Sequence, residues 1–193
     1  MESEIPAQNE AFLVAQARKG EEAAWRRLVL QYQDSVFRLA YLITGSAEDA
    51  EDVAQEAFIR AFLKLDHYDG GRPLRPWLLA ITGNLARNKR RSIGRYWHAV
   101  QRFLQAHREE TAVSPAHDPG DAQLLRQAVQ KLPQDSQSVI YLRYFLGLSE
   151  AETAETLAIA PGTVKSRAHR SLKKLRLIVE HEYPELSDER IDA

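Results

Sequence analysis

Residues 148–176 read LSEAETAETLAIAPGTVKSRAHRSLKKLR, and this stretch decides the fold class. Ser149 followed three residues later by Glu152 is a capping box, opening a helix that ends at Leu157. Leu157-Ala158-Ile159-Ala160 is too short for more than a tight turn, and Pro161-Gly162-Thr163 starts a second helix reaching about Glu180. At about 100° per residue, Val164, Ala168, Leu172, Leu175 and Val179 share one arc roughly 80° wide. Lys165, Ser166, His169, Arg170 and Lys173 lie opposite, flanked by Arg167 and Lys174. One strip is apolar enough for a core and the facing strip is built of hydrogen-bond donors. That division suits a helix-turn-helix whose second helix enters a DNA major groove, N-terminal residues at base edges and flanking cations on phosphates. A solvated basic face would share the strip; the tight turn, the caps and the absence of acids between Pro161 and Arg176 favour DNA.

Working outward, 3.6-residue periodicity continues along the chain and no run alternates as strands would. Helices are expected over about Ala11–Arg18, Glu22–Ile43 and Ala47–Leu65, the last opened by Ser46 with Asp49 in a variant capping box. His67 to Pro73, with Gly70-Gly71, is a loop, and Pro76 fits the first turn of a helix running through Trp77 to Arg91 or beyond. Residues 106–121 hold Ser114, Pro115, Pro119 and Gly120 with little apolar content, a linker composition. Further helices reach Lys131 and span Asp135 to about Phe145 around Pro133 and Gly147. The fold class expected is all-α, two small helical bundles over 11–105 and 122–180 joined by a flexible linker. Residues 1–10 read as a flexible N-terminal tail and 181–193 as an acidic C-terminal tail.

The formal net charge of −1 hides segregation. Arg72 to Arg108 contains nine Lys or Arg and no acid, and Pro161 to Arg176 contains six and no acid. Glu48 to Glu56, by contrast, holds five acids and no cation. Two acid-free basic blocks in a near-neutral chain favour a polyanion partner. The absence of cysteine excludes disulfides, thiolate zinc sites and cysteine nucleophiles. Neither a signal pattern at Met1–Glu10 nor an apolar run of membrane length is present, so a cytoplasmic protein without membrane insertion is expected.

Two further constellations lie in the N-terminal half. On the Ala47–Leu65 helix, Ala50, Val53, Ala57 and Ala61 face inward, while Asp52, Gln55, Glu56, Ile59 and Leu63 share the other side. Ile59 and Leu63 either pack under the first helix or form a protein-contact surface with the carboxylates. The acid-free basic stretch from Arg72 to Arg95 is combined with the aromatics Tyr68, Trp77, Tyr96 and Trp97. Unstacked bases need π-faces and their backbone needs charge, so this pattern suits single-stranded DNA. Trp77, within Trp77-Leu78-Leu79-Ala80-Ile81, reads better as core. Asn84 and Asn88, four apart on one face, offer donors and acceptors to a base edge.

Asp49-Ala50-Glu51-Asp52-Val53-Ala54-Gln55-Glu56-Ala57-Phe58 resembles region 2.2 of the extracytoplasmic-function (ECF, group IV) sigma factors of the sigma-70 family. Trp77 to Asn84 with Lys89-Arg90-Arg91 resembles regions 2.3 to 2.4. Leu132-Pro133, Leu142-Arg143, Gly147-Leu148-Ser149 and Gly162 to Arg167 resemble region 4. The resemblance spans roughly Ala11 to Arg176 and implies an alternative sigma factor. It implies that Asp49, Asp52, Gln55, Glu56, Ile59 and Leu63 contact core RNA polymerase, which favours the contact reading of Ile59 and Leu63. It implies that the loop around Tyr68, Arg72 and Arg75, with Asn84, Asn88 and Arg91, captures a melted −10 element. Arg143, Lys165, Ser166, Arg167, His169, Arg170 and Lys173 are then the −35 contacts, and an anti-sigma factor is an expected partner. The chain departs from the pattern at Leu74, Asn88, Lys89, Ala151, Thr153 and Ala168, positions that bear on promoter sequence.

Two other classes compete. A stand-alone regulator would use the same helix-turn-helix with an N-terminal dimerisation or sensing domain. A nucleic-acid hydrolase would need Asp49, Asp52 and Glu56 to hold metals, and no second acidic cluster supports a two-metal site. No P-loop, Gly-x-Ser-x-Gly or metal-ligand spacing occurs and the six His are scattered, so no catalytic residue, metal or cofactor is expected.

Overall fold

The computed structural model describes residues 7–105 and 120–186, and every regular element among them is helical. The chain divides into two compact units, the first closing at Arg91 and the second carrying the C-terminal helices.

The first unit holds α1 (Ala7–Arg18), α2 (Glu22–Thr44), α3 (Ala47–Leu63), a 3-10 turn (Leu65–His67) and the start of α4 (Leu74–Gln105). Gly45 at φ 80° ends α2, its N–H donating to the Tyr41 carbonyl, a left-handed stop that glycine accepts without a Cβ clash. Ser46 then caps α3 by accepting from the Asp49 N–H at 3.3 Å. The core joins Leu13, Val14 and Ala17 of α1 to Leu28, Tyr32 and Val36 of α2. Ala57 and Ala61 of α3 and Leu74 and Leu78 of α4 complete it. Small residues on α3 let α2 approach closely, and Trp25 closes the edge with its ring 5.3 Å from Phe62 and 6.3 Å from Phe58.

The second unit is built from α5 (Asp121–Gln130), α6 (Gln134–Ile140), α7 (Glu150–Leu157) and α8 (Pro161–Glu182). α6 widens into a single π turn at Tyr141–Phe145, after which Gly147 at φ 71° redirects the chain. The Ser149–Glu152 capping box forms in both directions: Ser149 N–H donates to Glu152 Oε2 at 2.7 Å, and Glu152 N–H to Ser149 Oγ at 3.2 Å. Ala158 takes φ 52° in the turn before α8, a left-handed position without glycine. Val129, Val139, Ile140, Tyr141, Leu142, Leu148 and Val164 are the largest fully buried side chains of this unit.

Two boundaries differ from expectation. α1 begins at Ala7, so part of the expected N-terminal tail is helix, held because Glu10 accepts from the Tyr32 hydroxyl and from Leu74 N–H at 3.0 Å. The expected acidic tail is folded through Leu186: α8 reaches Glu182, Tyr183 is buried, and Lys131 pairs with Glu182 while lying 5.3 Å from the Tyr183 ring. α4 continues through Gln105, as the expectation of a helix to Arg91 or beyond allows. The linker expected at 106–121 falls outside the described residues up to 119, and α5 already starts at Asp121.

Candidate nucleic-acid and protein-docking interfaces

In the second unit, α8 buries Val164, Ala168, Ser171 and Leu175 and exposes Lys165, Ser166, His169, Arg170 and Lys173. The two faces are opposed, as the wheel requires of a recognition helix. The buried strip is centred differently from the expected one, since Leu172 is half exposed and Ser171 replaces it. Ser171 lies about 20° to one side of Val164 and Leu172 about 80° to the other, so packing on α5 and α6 selects the near neighbour. Ser166 Oγ donates to the Thr163 carbonyl, and Arg170 Nε to the Ser166 carbonyl at 3.2 Å, leaving the rest of each side chain facing outward. Arg167 is set apart. Its side chain is 25% exposed and pairs with Asp135 of α6 at 3.3 Å, a tether across the bundle. Arg143 is half-buried and donates to the Leu148 carbonyl, fixing the bend that leads into α7.

In the first unit, Asn84, Asn88 and Arg91 share an exposed face of α4. Arg87 donates to Asn84 Oδ1 at 2.6 Å and Arg91 to Asn88 Oδ1 at 2.7 Å, which orients both amides. The preceding loop is internally tied, with Gly71 N–H donating to Asp69 Oδ1 at 3.1 Å and Arg72 ion-paired with Asp69 at 3.4 Å. Arg75 turns toward α2 and donates to Ser35 Oγ. Tyr68 corrects the expected strand-capture set. It is only 5% exposed, its ring lies 5.0 Å from Trp77, and its hydroxyl donates to the Arg72 carbonyl. Burial pushes its phenol well above the ordinary tyrosine range, with Glu10 adding to the shift. Both π-faces are therefore committed to the core and none is offered to a base.

The residues expected to contact a protein lie on α3. Leu63 is 72% and Ile59 55% exposed, and Phe62 adds a half-exposed ring beside them, so these side chains do not pack under α1. Gln55 is exposed and Glu56 half-buried, the latter paired with Arg60 at 2.6 Å. Asp49 and Asp52 are bridged by Lys89 of α4 at 3.2 and 3.0 Å. Those hydrogen bonds, Asp52's first, hold the Lys89 ammonium above its usual range. The sequence reading missed this bridge, because 37 residues separate Lys89 from Asp52 and no local spacing signals it. Among the described residues, no group of His, Asp or Glu is placed to hold a metal ion and no helix is long and apolar enough to cross a membrane.

A helix-turn-helix unit and a separate helical unit with a cationic face and an exposed apolar edge match the Sigma-70 region 4 family model over residues 122–175 and the Sigma-70 region 2 model over 28–96. The fold and these matches define a transcription initiation factor of the sigma-70 class. The chain is 34% identical over 178 residues to the ECF RNA polymerase sigma factor SigW of Bacillus subtilis, covering 84% of this chain and 92% of that protein. It is 34% identical over 169 residues to SigL of Mycobacterium tuberculosis, covering 86% and 95%. SigE of Mycolicibacterium smegmatis is 37% identical over 169 residues, covering 81% of this chain and 63% of that protein. The structure of CnrH in complex with the cytosolic domain of CnrY aligns with a TM-score of 0.71 at 26% identity, covering 90% and 99%. The sigma factor RpoE bound to the anti-sigma factor NepR from Bartonella quintana aligns at 0.62 and 26% identity, covering 81% and 97%. The chain belongs to the ECF sigma factors of the sigma-70 family.

Proposed function

We propose that this sigma factor divides promoter recognition between its two units by the residues described above. α8 reads duplex −35 DNA with Lys165, Ser166, His169, Arg170 and Lys173, while Lys174 meets phosphates. Arg143 and Arg167 set the geometry of that helix. The exposed face of α4, with Asn84, Asn88 and Arg91, and the loop carrying Arg72 hold the melted −10 strand. The α3 edge of Ile59, Phe62 and Leu63, with Gln55 and the carboxylates of Asp49, Asp52 and Glu56, docks on core RNA polymerase. The observation that carries this reading is the opposition of buried and cationic faces on α8.

Strand opening needs no hydrolysis in this scheme, since binding unpaired bases offsets an unstacking cost of about a few kcal/mol per base. The chain acts as a specificity subunit in the cytoplasm and catalyses no reaction itself. The neighbouring structures hold CnrH with the cytosolic domain of CnrY and RpoE with the anti-sigma factor NepR, which supports an anti-sigma factor as a partner here as well. Permanganate probing of a promoter bound by core polymerase plus this chain tests the scheme. Reactive thymines confined to the −10 region are expected; a fully duplex promoter would refute it.

A further inference from the structure

The loop between α3 and α4 is gripped at both ends by α1, a helix outside the region matched by the region 2 family model. At the near end, Arg18 Nε donates to the Leu65 carbonyl at 3.0 Å and Nη2 donates to the Tyr68 carbonyl, 47 and 50 residues away. At the far end, Glu10 Oε1 accepts from Leu74 N–H, the first residue of α4, and its other oxygen accepts from the Tyr32 hydroxyl. A carboxylate against the first turn of α4 satisfies a backbone donor the helix cannot satisfy itself and complements its dipole. A guanidinium reaching two carbonyls uses the planar fork that lysine lacks. Arg18 follows Glu10 by eight positions on α1, so one rigid helix sets the spacing between the loop's two ends. Tyr68, donating to the Arg72 carbonyl, closes the loop internally.

We propose that Glu10 and Arg18 are positioning residues for strand capture: α1 clamps the 65–74 loop in the shape that presents Arg72 and the α4 face to an unpaired strand. This rests on the strand-capture reading above. Neither residue touches DNA in this scheme. Their effect passes through backbone groups of the loop, so it is selective for opening, while α3 and α8 are left as they are.

The test uses the full chain with core polymerase on a promoter fragment bearing 2-aminopurine in the −10 element. Arg18→Met, which keeps the stem and removes the fork, lowers open-complex signal by about fivefold or more, the scale of one poorly held base. Core-polymerase affinity and duplex −35 binding stay within about twofold of the parent, a split that general destabilisation would not give. Arg18→Lys, able to reach one carbonyl, recovers only part of the loss. Glu10→Gln serves if Arg18→Met does not fold; it keeps one acceptor, removes the charge, and shows the same split. Asn84→Ala is the control for the underlying reading. Normal opening in Arg18→Met or Glu10→Gln, with Asn84→Ala defective, overturns the clamp and leaves strand capture standing. Normal opening in Asn84→Ala as well removes both.

Discussion

Replace Arg170 by alanine, and the effect on upstream DNA binding should depend on sequence. The side chain is exposed on the outward face of α8, anchored by one hydrogen bond to Ser166 that leaves its remaining donors for a base edge. A lost base-edge contact costs about 1–3 kcal/mol, or roughly 5- to 150-fold in affinity, on the cognate duplex alone. Lys174→Ala provides the contrast. That cation flanks the strip, so its loss should weaken cognate and scrambled duplexes alike and reduce the slope of log K against log salt by about 0.9. Arg167→Ala forms a third class. Its guanidinium is paired with Asp135, whose side chain is 75% exposed, so the stability loss is held to about 1 kcal/mol or less with base preference unchanged. Fluorescence anisotropy on both duplexes at three salt concentrations separates the three patterns. Equal losses for Arg170→Ala and Lys174→Ala on both duplexes would refute the assignment of faces on α8.

Leu63→Asp should leave stability within about 0.5 kcal/mol, because the side chain is mostly in solvent, yet cost about 2 kcal/mol or more in core-polymerase affinity. Titration against labelled core enzyme measures this, and unchanged affinity would take Leu63 out of the docking edge. Burial and the neighbouring Glu10 raise the Tyr32 phenol above its ordinary range, as burial first does for Tyr68. Their stabilising effect is complete below the unfolded tyrosine value of about 10 and is lost as pH rises above it, by up to about 1.4 kcal/mol per pH unit for each ring. Denaturant melts at pH 9 and 11 should show that fall, with a shallower one in Tyr32→Phe; a flat profile contradicts it. Thr153 is fully buried and its hydroxyl makes no hydrogen bond, so Thr153→Val should raise stability by about 1–2 kcal/mol. A lower melting temperature would contradict that.

The elements were legible where local chemistry sets them. Gly45, Gly147, Pro133 and Pro161 punctuate the helices, and the Ser149–Glu152 box forms in full. The Ser46–Asp49 box forms in one direction, with the Asp49 carboxylate engaged by Lys89 across the helix pair. The outward face of α8 was legible for the same reason, since periodicity alone fixes which residues oppose a core strip. What escaped the sequence are interactions made at long separation. Tyr68 sat among cations and read as a stacking platform, yet Trp77 and the Glu10–Tyr32 region enclose it. Arg18, Glu10 and Lys89 carry no motif, because their partners lie 22 to 64 residues away. The choice of Ser171 over Leu172 depended on where α5 and α6 approach α8, a matter of tertiary packing that wheel angles leave open.

Run-off transcription with core polymerase on a promoter library reaches the central claim in one step. Adding the purified chain should create initiation at start sites that core enzyme alone ignores, each with upstream and −10 elements at constant spacing. Folded chain that binds core polymerase but redirects initiation to no new site would contradict the account.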